Sequence, residues 1–248
     1  MTRRTGDPPS RRLFDVLAAC AGLALAGPAM VVIAALVRWR LGSPVLFRQA
    51  RAGWHGKTFA IVKFRTMKPP RFPGEPDGAR LTALGRLLRR LSLDELPQLL
   101  NILRGEMSVI GPRPTLPEQV RGYDRRQRGR LAVRPGLTGW AQVHGRNLLS
   151  WPERIELDLY YIEHRTWRLD LRILVRTLAQ LVRPHGVVGP GGVNPGFPQP
   201  TERSDHAPEP ERARPSAEPP ATPVARTGRV DRPDGQTPGA MRRAVPRR

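Results

Sequence analysis

The sequence predicts an α+β fold, mostly helical, with a membrane-inserted N-terminal helix, amphipathic interfacial helices, a small strand component and a disordered C-terminal tail. Three observations predict it. Residues 13–37 form an apolar run whose only charge is Asp15. Leucines at 81, 84, 87, 88 and 91, and apolar residues at 171, 173, 174, 178, 181 and 182, recur at helical spacing. Two short apolar, β-branched runs between them supply the strands.

The apolar run comes first. Arg11 and Arg12 precede it, and Arg38, Trp39 and Arg40 follow it. At about 1.5 Å per residue it is long enough to cross a bilayer's hydrocarbon core. Its length, and the lack of a small-residue cleavage pattern behind it, separate it from a signal peptide. Cations at both ends give the positive-inside rule no asymmetry to act on. Gly27-Pro28 falls near the middle, where Pro removes a backbone hydrogen bond. Two readings stay open. The helix spans and tolerates its Pro, or it breaks at Gly27-Pro28 and returns to the face it entered, leaving both basic ends on anionic headgroups.

Residues 1–40 are thus a membrane-inserted helix with basic flanks, and residues 41–188 a separate domain. Strands are expected at 43–47 and 58–64, with Arg51 to Gly56 as the turn between them and a Pro- and Gly-rich loop over 69–78. The 81–91 segment carries arginines opposite its leucines, which suits it to lie on a membrane or pack on a core. Further helices are expected over 94–103, 151–164 and 170–182.

Residues 189–248 contain thirteen prolines, almost no Leu or Ile, and charges of both signs. Such a stretch cannot bury enough apolar surface to offset its ordering entropy, so it is expected to be disordered. The chain holds 42 Lys+Arg against 21 Asp+Glu, a net charge of +21. The tail carries 10 basic and 7 acidic residues, so residues 1–188 keep +18. A basic folded part points to anionic membrane lipid, a phosphate-rich substrate or nucleic acid. Nucleic acid is not an expected partner, because no recognised binding module or aromatic-basic interleaving is present. The single Cys20 excludes an intrachain disulfide and a cysteine-based zinc site. His55, His144, His164 and His185 show no metal-like spacing.

Against this basic background, Ser92-Leu93-Asp94-Glu95-Leu96-Pro97-Gln98 sets two carboxylates side by side. Ser92 and Glu95 have the spacing of a capping box, and Pro97 suits a first turn. A carboxylate at a helix N-terminus sits in the positive end of the dipole and stays ionised. An ionised Asp is also what covalent phosphoryl transfer requires of its nucleophile. On the residues alone the pair is either a helix start or an active site. A basic membrane-surface protein without catalysis is the alternative to an enzyme.

Lys63-Phe64-Arg65-Thr66-Met67, the 92–98 segment, Asn101 to Pro114 and Arg134-Pro135-Gly136-Leu137-Thr138-Gly139 occur in that order. Gln142, Gly145-Arg146-Asn147 and Glu156 to Tyr161 follow. Together, over residues 11–182, these resemble the bacterial sugar transferase family, the monotopic phosphoglycosyl transferases that begin exopolysaccharide and glycan assembly. The resemblance implies a monotopic protein at the cytoplasmic face of the cell membrane, with a re-entrant helix broken at Gly27-Pro28. It implies transfer of a sugar-1-phosphate from a UDP-sugar to a polyprenyl phosphate, with UMP released and product passed to downstream glycosyltransferases.

It further implies Asp94 as nucleophile and Glu95 at a Mg²⁺ site. Lys63, Arg65 and Arg113 are the expected phosphate contacts, Arg as a bidentate fork and Lys as a point charge. Arg134 is expected near the nucleotide. Arg146 and Asp158 are further substrate-site candidates, Asp158 either touching substrate or orienting a cation.

Overall fold

The structure is a computed structural model that describes residues 7–145 and 148–182. Arg146 and the expected tail lie outside the described residues. Helix α1 spans Pro9–Leu41. Strands β1 (Leu46–Ala52) and β2 (Thr58–Phe64) follow, then α2 (Asp77–Arg80) and α3 (Ala83–Arg90). A 3-10 segment, Leu93–Gln98, leads into α4 (Leu99–Leu103). Then come β3 (Ser108–Ile110), α5 (Pro117–Arg121), a 3-10 segment at Gln127–Ala132, β4 (Gly136–Thr138), α6 (Trp140–Val143), α7 (Trp151–Glu163) and α8 (Trp167–Val182).

Helix α1 is longer than its apolar run. It opens with Pro9 in the first turn, where a missing N–H costs nothing. It closes on Gly42 at φ 77°, a left-handed backbone that favours glycine. Helical pairing runs on through Pro28, so the expected interruption at Gly27-Pro28 is not one of secondary structure. What the two halves share is their partner. The first half buries Ala19, with Leu23 beside it, against Ile61, Leu99, Ile102 and Met107. The second buries Ile33 and Val37 against Phe64 and Leu88. Both halves therefore pack on one body, while Leu17, Leu25, Val31, Val32 and Trp39 remain exposed.

Strands β1 and β2 form an antiparallel pair in which Phe47 faces Lys63 and Leu46 faces Phe64. β2 lies where its residues predict. β1 begins three residues later than expected and runs on to Ala52, because it follows the full length of β2. The second sheet is a parallel pair of three residues each, Ser108 facing Gly136 and Ile110 facing Thr138. Glycines let these strands and their ends meet. A Cβ on Gly111 would sit 2.5 Å from the Arg134 carbonyl oxygen, and one on Gly136 2.0 Å from the Gly111 nitrogen.

Helix α3 starts on Thr82, whose hydroxyl accepts from the Gly85 N–H. The helix expected over 94–103 is instead a 3-10 segment followed by one and a half turns of α-helix, with Pro97 inside the 3-10 part. The capping box expected at Ser92 and Glu95 does not form. Ser92 adopts φ 57° and ψ 19°, whereas an N-cap residue needs an extended backbone. A capping box is present at Ser150 and Glu153, where α7 begins.

Candidate active site

The site is built where the 3-10 segment meets the ends of β2 and β3. Ser92, in the left-handed region that a non-glycine residue rarely adopts, turns the chain sharply out of α3. The tight segment that follows presents Asp94 and Glu95. Lys63 comes from β2, and Arg113 lies three residues past the end of β3.

Glu95 is the hub. Its Oε1 accepts from Lys63 Nζ at 2.5 Å and from Arg113 Nη2 at 2.8 Å. Its Oε2 takes neither. Burial pushes the Glu95 carboxyl up, but the Arg113 guanidinium and Lys63 ammonium outweigh it and hold it well below the usual carboxylate range. The same contact raises Arg113. Burial draws Lys63 down, with Glu95 opposing.

Asp94 is the opposite case. It is only 8% exposed, and no described group hydrogen-bonds its carboxylate. Burial pushes it up, and the neighbouring Glu95 charge adds to that, against Lys63, Arg89 and Arg113. The helix cap expected to hold Asp94 ionised is missing, and desolvation pushes its carboxyl up instead. One carboxylate is fixed and strongly acidic; its neighbour is unpartnered and more basic. Environments that push paired carboxyls apart fit them for different roles.

A second layer stands behind Arg113. The buried Arg130 donates from Nε (2.9 Å) and Nη2 (2.6 Å) to Asp158 Oδ2. Its Nη2 also reaches the Arg113 carbonyl oxygen at 3.3 Å, and Nη1 bonds the Tyr123 hydroxyl. Asp158 is therefore a partner of Arg130. Its other oxygen, Oδ1, is buried without a hydrogen bond.

The other expected contacts lie elsewhere. Arg65 donates to the carbonyl oxygens of Leu41, Gly42 (2.7 Å) and Ser43 (3.0 Å), closing the end of α1. Arg134 bonds Asp7 Oδ2 and the Gly105 carbonyl, both at 2.9 Å, and lies over the Trp54 ring. Arg165 completes that clasp on Asp7. In this structure Arg65 and Arg134 are occupied by the fold itself, and neither contacts Asp94 or Glu95.

Two cations near the site were not singled out from sequence. Arg89, which helical spacing assigns to a solvent face, donates to Thr66 Oγ1 at 3.0 Å and lowers Asp94. Arg51 is drawn down to about 10 by burial, with Arg113 next in effect. Neither carries a local signal beyond its charge. A cavity of about 700 Å³ is lined by Trp140, Tyr160 and Glu163 among others, and by none of Lys63, Asp94, Glu95 or Arg113. It is an open groove on the outer face of α7, so chemistry and not volume places the site.

Among the described residues no three His, Cys, Asp or Glu side chains cluster as a metal site. Glu95 Oε2 and the Asp94 carboxylate nevertheless offer hard oxygens free of hydrogen bonds. Such a set suits Mg²⁺, which is commonly held by one or two carboxylates with substrate phosphates and water completing its shell.

Comparison with known proteins places the chain in a family. The family model described as bacterial sugar transferase matches residues 7–184. The chain is 46% identical over 180 residues to the uncharacterized sugar transferase EpsL of Bacillus subtilis, covering 71% of this chain and 89% of that one. It is 39% identical over 197 residues to the exopolysaccharide production protein ExoY of Rhizobium meliloti, covering 71% and 87%. It is 39% identical over 204 residues to a UDP-glucose:undecaprenyl-phosphate glucose-1-phosphate transferase of Caulobacter vibrioides, covering 73% and 76%. An unpartnered buried carboxylate, a neighbour locked between two cations and a match over nearly all the described residues lead to one conclusion: the chain belongs to the bacterial sugar transferase family.

Proposed function

We propose that this bacterial sugar transferase moves a sugar-1-phosphate from a UDP-sugar to a polyprenyl phosphate, as a first membrane step of exopolysaccharide or glycan assembly. The observation that carries the reading is the division of labour between Asp94 and Glu95. An Asp without hydrogen bonds keeps its lone pairs free, and its desolvation makes the ionised form a better nucleophile.

In the first step an Asp94 oxygen attacks the β-phosphorus. The bond from that phosphorus to the bridging oxygen breaks, and UMP leaves with the oxygen and its electron pair. The product is a sugar-phosphoryl-aspartate. In the second step an oxygen of the polyprenyl phosphate attacks the same phosphorus and frees the Asp94 carboxylate. Both steps gather negative charge on phosphoryl oxygens, so catalysis is mainly positioning and electrostatic stabilisation. Lys63 and Arg113 would meet that charge, and Glu95 would hold Mg²⁺. When bound, Mg²⁺ supplies positive charge at the phosphate oxygens.

The exposed apolar surface supports a membrane location. Besides α1, it includes Leu87 and Leu91 at α3, and Trp167, Leu171, Val175 and Leu178 on α8. Patches of this kind mark interaction surfaces, and the basic body suits anionic lipid. Both halves of α1 pack on one body, which favours entry and exit on the same face over a straight span. We place that face in the cytoplasm, the source of nucleotide sugars.

The test is trapping. Radiolabelled UDP-sugar and Mg²⁺ should leave label on the wild-type protein and release UMP. Asp94→Asn should do neither while still floating with membranes. A folded wild type that yields no label and no UMP across a panel of UDP-sugars overturns the reading.

A further inference from the structure

Glu95 is held by one cation from β2 and one from the loop that follows β3, and each of those strands is fastened to a different end of α1. On one side, Lys63 sits two residues before Arg65. The Arg65 guanidinium takes the carbonyl oxygens of Leu41, Gly42 and Ser43, and its N–H takes the Val45 carbonyl at 2.9 Å. The end of β2 is therefore bolted to the last residue of the helix. On the other side, Asp15 is 2% exposed. Its Oδ1 accepts from Ser108 Oγ at 2.9 Å and from the Val109 N–H at 2.8 Å. Those residues open β3, which leads through Gly111 and Pro112 to Arg113.

That lead is stiff. The Gly111 N–H bonds the Thr138 carbonyl, and the Gly136 N–H bonds the Pro112 carbonyl, both at 2.9 Å. A Cβ at Gly111 would collide with the backbone of Arg134 and Gly136. A shift at Asp15 thus has little slack to absorb it before Arg113. The two anchors, Asp15 and Leu41, are 26 residues apart, about 39 Å along a helix. Pro28 is thirteen residues from each.

We propose that Asp15 and Arg65 are positioning residues that register Arg113 and Lys63 against Glu95, so that the shape of α1 about Pro28 sets the spacing of the cations. The inference rests on the proposed reaction, in which Lys63 and Arg113 meet the phosphates. The membrane helix is then part of the gauge of the active site as well as its anchor. A misplacement of about 1 Å costs on the order of 100-fold, because the rate depends on near-attack geometry.

The experiment uses full-length protein in lipid nanodiscs and the UDP-sugar that the wild type consumes fastest among UDP-glucose, UDP-galactose and their 2-acetamido forms. The readout is the single-turnover rate of adduct formation, normalised to the fraction of protein that reacts. A purely structural role would lower that fraction and leave the rate unchanged. Asp15→Leu and Arg65→Met should each slow the rate at least tenfold. Asp15→Asn, whose side-chain oxygen still accepts both bonds, should stay within about threefold of wild type.

Double-mutant cycles then decide the route. Asp15→Leu added to Arg113→Gln, and Arg65→Met added to Lys63→Met, should slow the reaction no more than twofold beyond the cation variant alone. Full additivity in both cycles, or unchanged rates in the single variants, overturns the proposal. If Asp15→Leu does not accumulate, Asp15→Ala and the Arg65 cycle carry the decision. A wild type that releases no UMP defeats the reaction itself. A wild type that reacts, with Asp94→Asn silent and both cycles additive, defeats only the coupling.

Discussion

Asp94 and Glu95 are adjacent in sequence, yet neutralising them should move stability in opposite directions. Glu95→Gln removes the charge that Lys63 and Arg113 share. The Lys63 pair is mostly buried, its side chains 16% and 18% exposed, whereas Arg113 is 48% exposed. Stranding a buried partner costs about 3–5 kcal/mol, and a screened one about 0.5 kcal/mol. The Gln oxygen still accepts a hydrogen bond, so the low end applies, about 3 kcal/mol. For a folded body of this size that is a fall in melting temperature of roughly 6–12 °C. Asp94→Asn instead removes a charge that burial and Glu95 both oppose, and should raise the melting temperature by roughly 2–4 °C, or about 1 kcal/mol.

The pH dependence separates the two further. The Glu95 pKa is depressed by the fold, so its contribution is full above the unfolded carboxyl value, about 4.3, and is lost as pH falls through the folded value. The Glu95→Gln deficit should persist at pH 5–8 and shrink only in acid. The Asp94 pKa is raised, so its penalty is present at neutral pH and fades as pH drops through that raised value. The Asp94→Asn gain should therefore vanish at a higher pH than the Glu95→Gln loss. The assay is differential scanning of detergent-solubilised protein in EDTA buffer, which removes metal. A lower melting point for Asp94→Asn, or no loss for Glu95→Gln at pH 7, would refute the assignment of one strained and one stabilising carboxylate.

Three other outcomes follow from the same contacts. Asp158→Asn should cost about 3–5 kcal/mol by stranding Arg130, and should lower kcat/KM of the surviving fraction, because Arg130 also holds the Arg113 carbonyl; denaturant titration and steady-state kinetics check both. Gly85→Ala should destabilise by about 2 kcal/mol or more, since its Cβ would sit 2.0 Å from the Thr66 carbonyl oxygen, seen as a lower denaturant midpoint. Asp7→Asn should loosen Arg134 and Arg165 together, exposing the start of α1 to limited proteolysis while leaving the Glu95 cluster intact.

How much of this could be read from the sequence depended on range. Local signals held up: the apolar run, the β-branched 58–64 strand, and the leucine spacing of α3 all mark elements that exist. Ser150 and Glu153 form a true capping box, whereas Ser92 and Glu95 share its spacing without its geometry. The difference lies in what surrounds each pair, since Ser92 is forced into a left-handed turn and Glu95 is claimed by Lys63 and Arg113. Strands β3 and β4, three residues each, are too short for alternation to register. The grouping of Lys63, Glu95 and Arg113 came from motif resemblance, because no periodicity links residues so far apart. Arg65 and Arg134 show the limit of motif membership. Each sits in a matching segment, and each spends its guanidinium on backbone carbonyls or Asp7.

The contact between Asp15 and the start of β3 also sets an order of events during synthesis. Its partners are 93 and 94 residues further along the chain. At a ribosomal rate of about 5–20 residues per second, they arrive roughly 5–20 s after Asp15. A lone carboxylate in lipid is costly, about 2.5–3.5 kcal/mol at a helix centre on insertion scales and less near a helix end, where Asp15 lies. The first half of α1 is thus discouraged from settling deeply before the body exists to receive it. Insertion and folding become a single late event, in which the newborn enzyme closes over its own acidic residue.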